Sequence, residues 1–375
     1  MGINAFEDKN DSISVKKILL GSWNEYVLTH SVKDCQLKEV EKSMSCYGSS
    51  QGCFVYFCKS CDKYIFMIRG CNSRLCSCCG KRYTDQWSEN LSKSMFPFAH
   101  RHFVMSVPDV LWGFLKSWDM LKVYMDAAIE CFNDYFSKLL HQTIKVGVIV
   151  VLHNFGKDMK AQPHLHLILT EGGFNAKKEF VKIEFVPADG FRKSWQFRVL
   201  KKLQEHGLPN ELASQMYKKY PKGFYVWLHK RGEIKHPKLI AKYVGRYVRH
   251  PAIANSRIYF YDGKIVKFFY INNEDKRIEV VMPVDKFITA LIQHIPPPQF
   301  KMIRYYGAYA RKAKGLYGAK ARSSITQLNL FQFGIERIKH CPFCHEKIDF
   351  VWYCKKPPPE KINDKIGLLK YISQN

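Results

Sequence analysis

Two histidines one residue apart, His164 and His166, lie inside the apolar run Pro163-His164-Leu165-His166-Leu167-Ile168-Leu169. On a strand, residues two apart project to the same side, so both imidazoles would share a face while Leu165 and Leu167 pack into a core behind them. Imidazoles held this way can ligate a divalent cation, and a third ligand from a neighbouring strand would complete a three-residue face. His153 ends the preceding apolar run, and the turn-rich stretch from Phe155 to Pro163 is short enough to fold back beside it. The alternative is a group of surface or hydrogen-bonded core histidines.

A second spacing concerns tyrosine. Lys242-Tyr243-Val244-Gly245-Arg246-Tyr247 places two phenols at i and i+4, neighbours on one helical face. A phenol is a poor nucleophile at neutral pH. Near a metal-bound phosphate and the cations Lys242, Arg246 and Arg249, its oxygen can attack phosphorus and form a covalent phosphotyrosine. Two core tyrosines on an amphipathic helix are the alternative, and among 21 tyrosines Tyr217/Tyr220 and Tyr305/Tyr306/Tyr309 form rival clusters.

Cysteine supplies a third pattern. Nine of the 13 cysteines fall between Cys35 and Cys79, which in a large chain without a secretion signal points to thiolate metal sites. Cys58-x2-Cys61 and Cys76-x2-Cys79 form two knuckles fourteen residues apart, a spacing that suits one tetrahedral four-thiolate Zn2+ site with a structural role. Cys46, Cys53 and Cys71 are left over, to serve a second site or a variant of the first. Cys341-x2-Cys344, with His340, His345 and Cys354 nearby, is a weaker candidate; free thiols are the alternative there.

The elements that must position these groups alternate irregularly. A polar helix (TDQWSENLSKSM) precedes a strand in FPFAHRHFVMSVP, and residues 112–142 have helical apolar spacing. VGVIVVLHN and HLHLILTEG read as two strands, and KKEFVKIEFVPADG adds a short one. FRKSWQFRVLKKLQEHG reads as a basic helix closed by Gly207, and HPKLIAKYVGRYVRHP as a helix bounded by Pro237 and Pro251. A meander follows, with turns at Asp262-Gly263 and Asn272–Asp275, then a helix in PVDKFITALIQHI. Hairpins mixed with helices predict an α+β fold around an antiparallel sheet.

Composition narrows the partner. Lysine and arginine number 59 against 33 acidic residues, a net charge of +26 spread along the chain, and a polyanion is what relieves such self-repulsion. The 46% hydrophobic content is that of a folded protein. No apolar run approaches a membrane-spanning length, the longest clear one being Val146–Leu152, and the N-terminus lacks a secretion or myristoylation signal. The expectation is a soluble cytoplasmic, nucleoid-associated prokaryotic protein with a nucleic-acid partner and no membrane.

With these residues in view, the chain resembles the transposases of the insertion-sequence-91 family, two-tyrosine members of the HUH (His-hydrophobe-His) endonuclease superfamily. The match runs in order through CKSC...GCNSRLCSCCGKRYTDQW, HRHFVMSVPDVLW, VLHNFGKDMKAQPHLHLILTEGGF, FRKSWQFRVLKKL, KLIAKYVGRYVRHPAIANSRI, FKMIRYYGAYA and CPFC. The resemblance implies an HUH-type antiparallel sheet with flanking helices, preceded by a cysteine-rich zinc module. His164 and His166 would hold Mg2+ or Mn2+, with His153 as third histidine and Gln162 as its rival, and Tyr243 and Tyr247 would be the nucleophiles. Gln162 and Cys78 stand where members often carry other residues. The implied activity is nicking and rejoining of single-stranded or hairpin DNA at element ends through a 5'-phosphotyrosine, with unwinding borrowed from a host helicase and replication machinery. Lys193, Arg198, Lys242, Arg246, Arg249 and Arg304 would track the DNA. The expected domains are a zinc module (1–92), a catalytic domain (93–300) and a basic C-terminal region with CxxC (301–375). A relaxase or replication initiator with the same chemistry and a non-catalytic zinc protein that binds nucleic acid are the alternatives.

Overall fold

In chain order the protein forms α1 (Val15–Thr29), α2 (Asp34–Met44), β1 (Cys53–Cys58), β2 (Lys63–Ile68), α3 (Ser77–Ser94), β3 (His100–Ser106), α4 (Trp118–Leu139), β4 (Lys145–Phe155), β5 (Ala161–Phe174), β6 (Phe180–Lys182), α5 (Ala188–Gln204), α6 (Asn210–Lys219) and β7 (Val226–Leu228). It continues with β8 (Ile258–Tyr261), β9 (Ile265–Ile271), β10 (Arg277–Pro283), α7 (Val284–Ile292), β11 (Ile303–Gly307) and β12 (Asp349–Cys354). The computed structural model describes residues 13–46, 51–183, 186–228, 244, 251–313, 316–317 and 339–354.

One compact unit comprises residues 81–252 and 294–326. Its sheet has the order β11-β4-β5-β3-β7, with β6 paired to β5, and every pairing is antiparallel. The alternation in β4 and β5 divides this sheet into two faces. Val148, Val150, Leu152, Leu165, Leu167, Leu169, Phe103 and Met105 point to one of them and are buried beneath α4 and α5. Helix α4 begins where Ser117 Oγ accepts a hydrogen bond from the Met120 amide, 3.2 Å away. It buries Leu121, Tyr124, Met125, Ala128, Phe132 and Phe136, a stripe at three- and four-residue spacing. Phe132 meets Phe103 and Phe191 at centroid distances of 5.1 and 4.7 Å. Burial of each such side chain contributes about 1.5–3 kcal/mol. The Trp195 indole donates to the Ser106 carbonyl at 3.0 Å and ties α5 to β3. Beyond α5, Gly207 takes φ +98°, the left-handed turn its position after the helix demands.

The opposite face carries the odd-one-out chemistry of the same strands: His153, His164, His166, His102 and His100. At its edge, Gly307 adopts φ +57° against Val146, whose carbonyl oxygen a Cβ there would strike. The turn brings Tyr309 over Gly147. Its hydroxyl accepts from the Phe96 amide (2.9 Å) and pairs with His100 Nε2 (2.7 Å).

The other unit comprises residues 1–80, 253–293 and 327–375. It holds one sheet of order β12-β1-β2 and another of order β10-β9-β8. The expected meander is present. Asp262 Oδ1 accepts from the Lys264 and Ile265 amides (2.9 and 2.8 Å), and Asn272 Oδ1 from the Glu274 and Lys276 amides (both 2.9 Å), so an Asx turn builds each corner. Tyr26 of α1 hydrogen-bonds Thr289 of α7 at 2.8 Å, and Gln36 of α2 donates to the Ile292 carbonyl at 3.1 Å. No described helix is long and apolar enough to cross a membrane.

The contact grouping of the chain runs differently from the boundaries expected at 92 and 300. Of the described residues after 300, those of β11 pair with β4 and those of β12 pair with β1. Residues 253–293 group with the N-terminal segments. The reason is strand pairing, since each terminal strand satisfies its backbone by extending a sheet made elsewhere in the chain.

Candidate metal centre

The histidine group is fixed by the register of two strands, β4 and β5. His153 of β4 lies directly opposite His164 of β5, and Val151 lies opposite His166. His164 and His166, two apart, therefore share a face, and the ligand atoms of all three histidines lie within 4.8 Å of one another. His153 Nδ1 is 3.0 Å from His164 Nε2. His164 Nδ1 donates to the Gln162 carbonyl at 2.8 Å, which leaves its Nε2 as the lone-pair nitrogen. His166 Nδ1 is 3.1 Å from Nε2 of His102, a fully buried residue on β3 whose ring lies parallel to that of His166. The expected trio is thus brought together, and Gln162 contributes its carbonyl as an orienting acceptor.

Burial favours the neutral form of His164 and His166. His166 is held well below the ordinary histidine range by desolvation, and then by the neighbouring His164, His102 and His153 rings. His164 is lowered by burial, partly offset by the Gln162 carbonyl. A neutral imidazole is the form that binds a metal, and second partners on the remote nitrogens orient the rings. Three convergent imidazoles fit a divalent cation with open coordination positions.

His102 was missed by sequence reasoning. Its signal was present in His100-Arg101-His102, the same histidine alternation as His164-Leu165-His166 on a strand of the same sheet. Trp227 of β7, about one-third exposed, meets the His102 ring edge-on at 5.7 Å.

Tyr243, Tyr247, Lys242, Arg246 and Arg249 lie outside the described residues. Val244, between the two tyrosines, is helical and buried. Two of the cations expected on DNA are engaged within the protein. Arg198 pairs with Glu130 (3.2 Å) and Asp134, bridging α5 to α4. Arg304 lies 3.6 Å from Asp126 and over the Phe300 ring at 5.9 Å. Lys193 is exposed on α5.

The cysteines form two groups, and neither is the one expected. Cys58 and Cys61 do not join Cys76 and Cys79. Cys46, Cys71, Cys76 and Cys79 converge, with Sγ separations of 3.5 Å (Cys46–Cys76), 3.7 Å (Cys46–Cys79) and 3.8 Å (Cys71–Cys79). Cys58 and Cys61 converge instead with Cys341 and Cys344. The fourteen-residue spacer contains β2, which carries the chain away from the first knuckle. The second knuckle, at the start of α3, then meets Cys46, which follows α2. Of the other leftover cysteines, Cys53 pairs across the strands with Cys354 in a small buried cluster.

Thiol crowding in the first group has a clear electrostatic sign. Hydrogen bonding to Cys46, Cys76 and Cys79, with burial, pushes the Cys71 thiol far up, while hydrogen bonds from Cys71 and Cys76 pull Cys46 down. Four thiolates at this spacing require a cation. In a tetrahedral four-sulfur Zn2+ centre with bonds of about 2.3 Å the sulfurs are about 3.8 Å apart. The observed separations fit.

Comparison with known proteins agrees with both parts of the chain. Residues 18–107 match a family described as "Transposase zinc-binding domain", and residues 147–315 match one described as "Putative transposase". The chain is 26% identical over 322 residues to the transposase for insertion sequence element IS801 of Pseudomonas savastanoi pv. phaseolicola, covering 81% of this chain and 77% of that protein. It is 23% identical over 284 residues to the "Putative transposase y4qJ" of Sinorhizobium fredii, covering 70% and 71%. No solved structure matches significantly. With its zinc-binding and transposase regions matched in order, and a transposase relative aligned along most of its length, the chain is similar throughout these regions to transposases of the insertion-sequence-91 type, DNA-processing enzymes of mobile elements.

Proposed function

We propose that this transposase nicks and rejoins single-stranded or hairpin DNA at the ends of its element by HUH chemistry, in rolling-circle transposition. The observation that carries the reading is the convergence of His153, His164 and His166 on adjacent antiparallel strands, with ligand atoms within 4.8 Å. Those residues would hold Mg2+ or Mn2+, which when bound supplies Lewis-acid polarisation of the scissile phosphate. The Gln162 carbonyl and His102 orient His164 and His166 through their remote nitrogens. Tyr243 or Tyr247 attacks phosphorus through its phenolic oxygen. As the new P–O bond forms, the P–O3' bond breaks, the phenolic proton passes to solvent and the departing oxygen is protonated to a free 3'-hydroxyl. The ester energy is kept in the 5'-phosphotyrosine, so rejoining needs no nucleotide cofactor. The second tyrosine can then attack at another site while the first holds its end. The 3'-hydroxyl primes replication by host enzymes, and a host helicase supplies unwinding. Zn2+ held by Cys46, Cys71, Cys76 and Cys79 has a structural role, because four thiolates leave no open position.

The test is incubation of the full chain with Mn2+ and labelled single-stranded DNA carrying the element ends. A covalent protein–DNA adduct is expected, and Tyr243→Phe with Tyr247→Phe should abolish it. No adduct with the unaltered protein, or an adduct that survives the double substitution, would overturn the reading.

A further inference from the structure

We propose that the chain carries a second structural Zn2+ centre, formed by Cys58, Cys61, Cys341 and Cys344, which closes a zinc ribbon whose halves are separated by some 280 positions of sequence. Two of these ligands lie outside residues 18–107, whereas all four of the Cys46 group lie inside. The zinc-binding match thus accounts for one centre and leaves this one unassigned.

The two knuckles are built alike. Cys58-Lys59-Ser60-Cys61 is followed by Asp62 at φ +50°, and Cys341-Pro342-Phe343-Cys344 by His345 at φ +62°. A left-handed residue after the second cysteine turns each chain back into a returning strand. One return is β2; the other runs through the His340–Lys347 bridge into β12. The Phe343 amide donates to Cys341 Sγ at 3.4 Å, and the His345 amide donates to the Cys341 carbonyl at 2.9 Å. Amides aimed at sulfur stabilise a thiolate, so the loop is arranged for charged ligands.

The cross-knuckle distances fit one ion. Cys58 Sγ is 3.6 Å from Cys344 Sγ and Cys61 Sγ is 3.9 Å from Cys341 Sγ, on either side of the roughly 3.8 Å expected between sulfurs of a tetrahedral Zn2+ centre. Four soft thiolate donors favour Zn2+ over a hard cation such as Mg2+.

The local core also calls for such a staple. Beside these cysteines its buried residues are Phe54, Tyr56, Ile65 and Ile348. A three-stranded sheet over so few side chains gains little from burial, and small folds of this kind depend on a metal or cross-link. Strand β12 has β1 as its sheet partner, so the ion would hold the C-terminal segment where hydrogen bonds alone are weak.

The experiment is metal counting on the full chain purified with Zn2+, combined with alkylation mapping under native conditions. Two tightly held Zn2+ per chain are expected, falling to one in Cys341→Ser with Cys344→Ser. Cys344, although exposed, should be alkylated at least tenfold more slowly than the exposed Cys78, which lies outside both groups, until a chelator is added. Alkylation is read on the unaltered protein, so the result stands even if the double variant misfolds. One Zn2+ per chain in the unaltered protein, two in the variant, or alkylation of Cys344 as fast as Cys78 with zinc bound would overturn the proposal.

Discussion

The histidine centre and the cysteine centres are built on opposite principles. Three imidazoles come from neighbouring strands of one sheet, eleven residues separating His153 from His164, and their meeting follows from β-pairing that also buries a large apolar core. The thiols come from knuckles, each formed locally and each needing a partner from elsewhere, in one group across some 280 positions. A site carried on a packed sheet keeps its shape without its ion. A site made of knuckles is held by the ion itself.

Removing zinc should give the largest effect. Structural Zn2+ contributes about 10–16 kcal/mol of apparent binding energy in small zinc folds. Stripping it should therefore abolish hydrogen-exchange protection in β1 and β12, while Mn2+ added back afterwards still titrates the histidine site. Loss of Mn2+ binding together with the zinc would break that contrast. Next in size is His166→Ala, which should lower the nicking rate about 10³-fold, on the order of the several kcal/mol a metal supplies, with the melting temperature little changed.

Acid provides a third probe of the same unit. Burial pushes His100 and His294 down to about 4, against about 6.5 when unfolded. The unfolded chain therefore takes up more protons as pH falls below about 6.5. Stability that is fully present above that pH is lost progressively toward pH 4, roughly 2–3 kcal/mol per histidine at pH 4.5. Urea midpoints of the metal-free protein at pH 7 and 4.5 measure it, and His100→Phe should flatten the profile. The smallest effect is expected of His102→Ala, which frees the His166 ring to rotate. Mn2+ affinity should weaken about 10- to 100-fold, as measured by calorimetry, with Tyr243 and Tyr247 unaltered.

What could be read in the sequence follows the same division. Strand alternation reports which residues share a face, so His164, His166 and the buried Leu165 and Leu167 were legible, and His153 followed from the short connection. The meander and its Asx turns were equally legible, because Asp262-Gly263 and Asn272 act on their own backbone. Knuckle partnership is not local: Cys58-x2-Cys61 looks the same whichever pair it meets. Helix α1 was missed because exposed Leu20 and Leu28 blur its stripe of Ile18, Leu19, Trp23 and Tyr26. The ion pairs of Arg198 and Arg304 depend on carboxylates about 70 and 180 residues away, beyond any local pattern.

The pairing of β1 with β12 also sets a timetable for synthesis. A ribosome adds about 5–20 residues per second, so β1 emerges roughly 15–60 s before its edge neighbour exists. Throughout that interval its unmatched amides and carbonyls are open to any passing strand, a liability for newly made chains in a crowded cell. Premature termination anywhere before residue 349 makes that exposure permanent, so shortened products should be prone to aggregate.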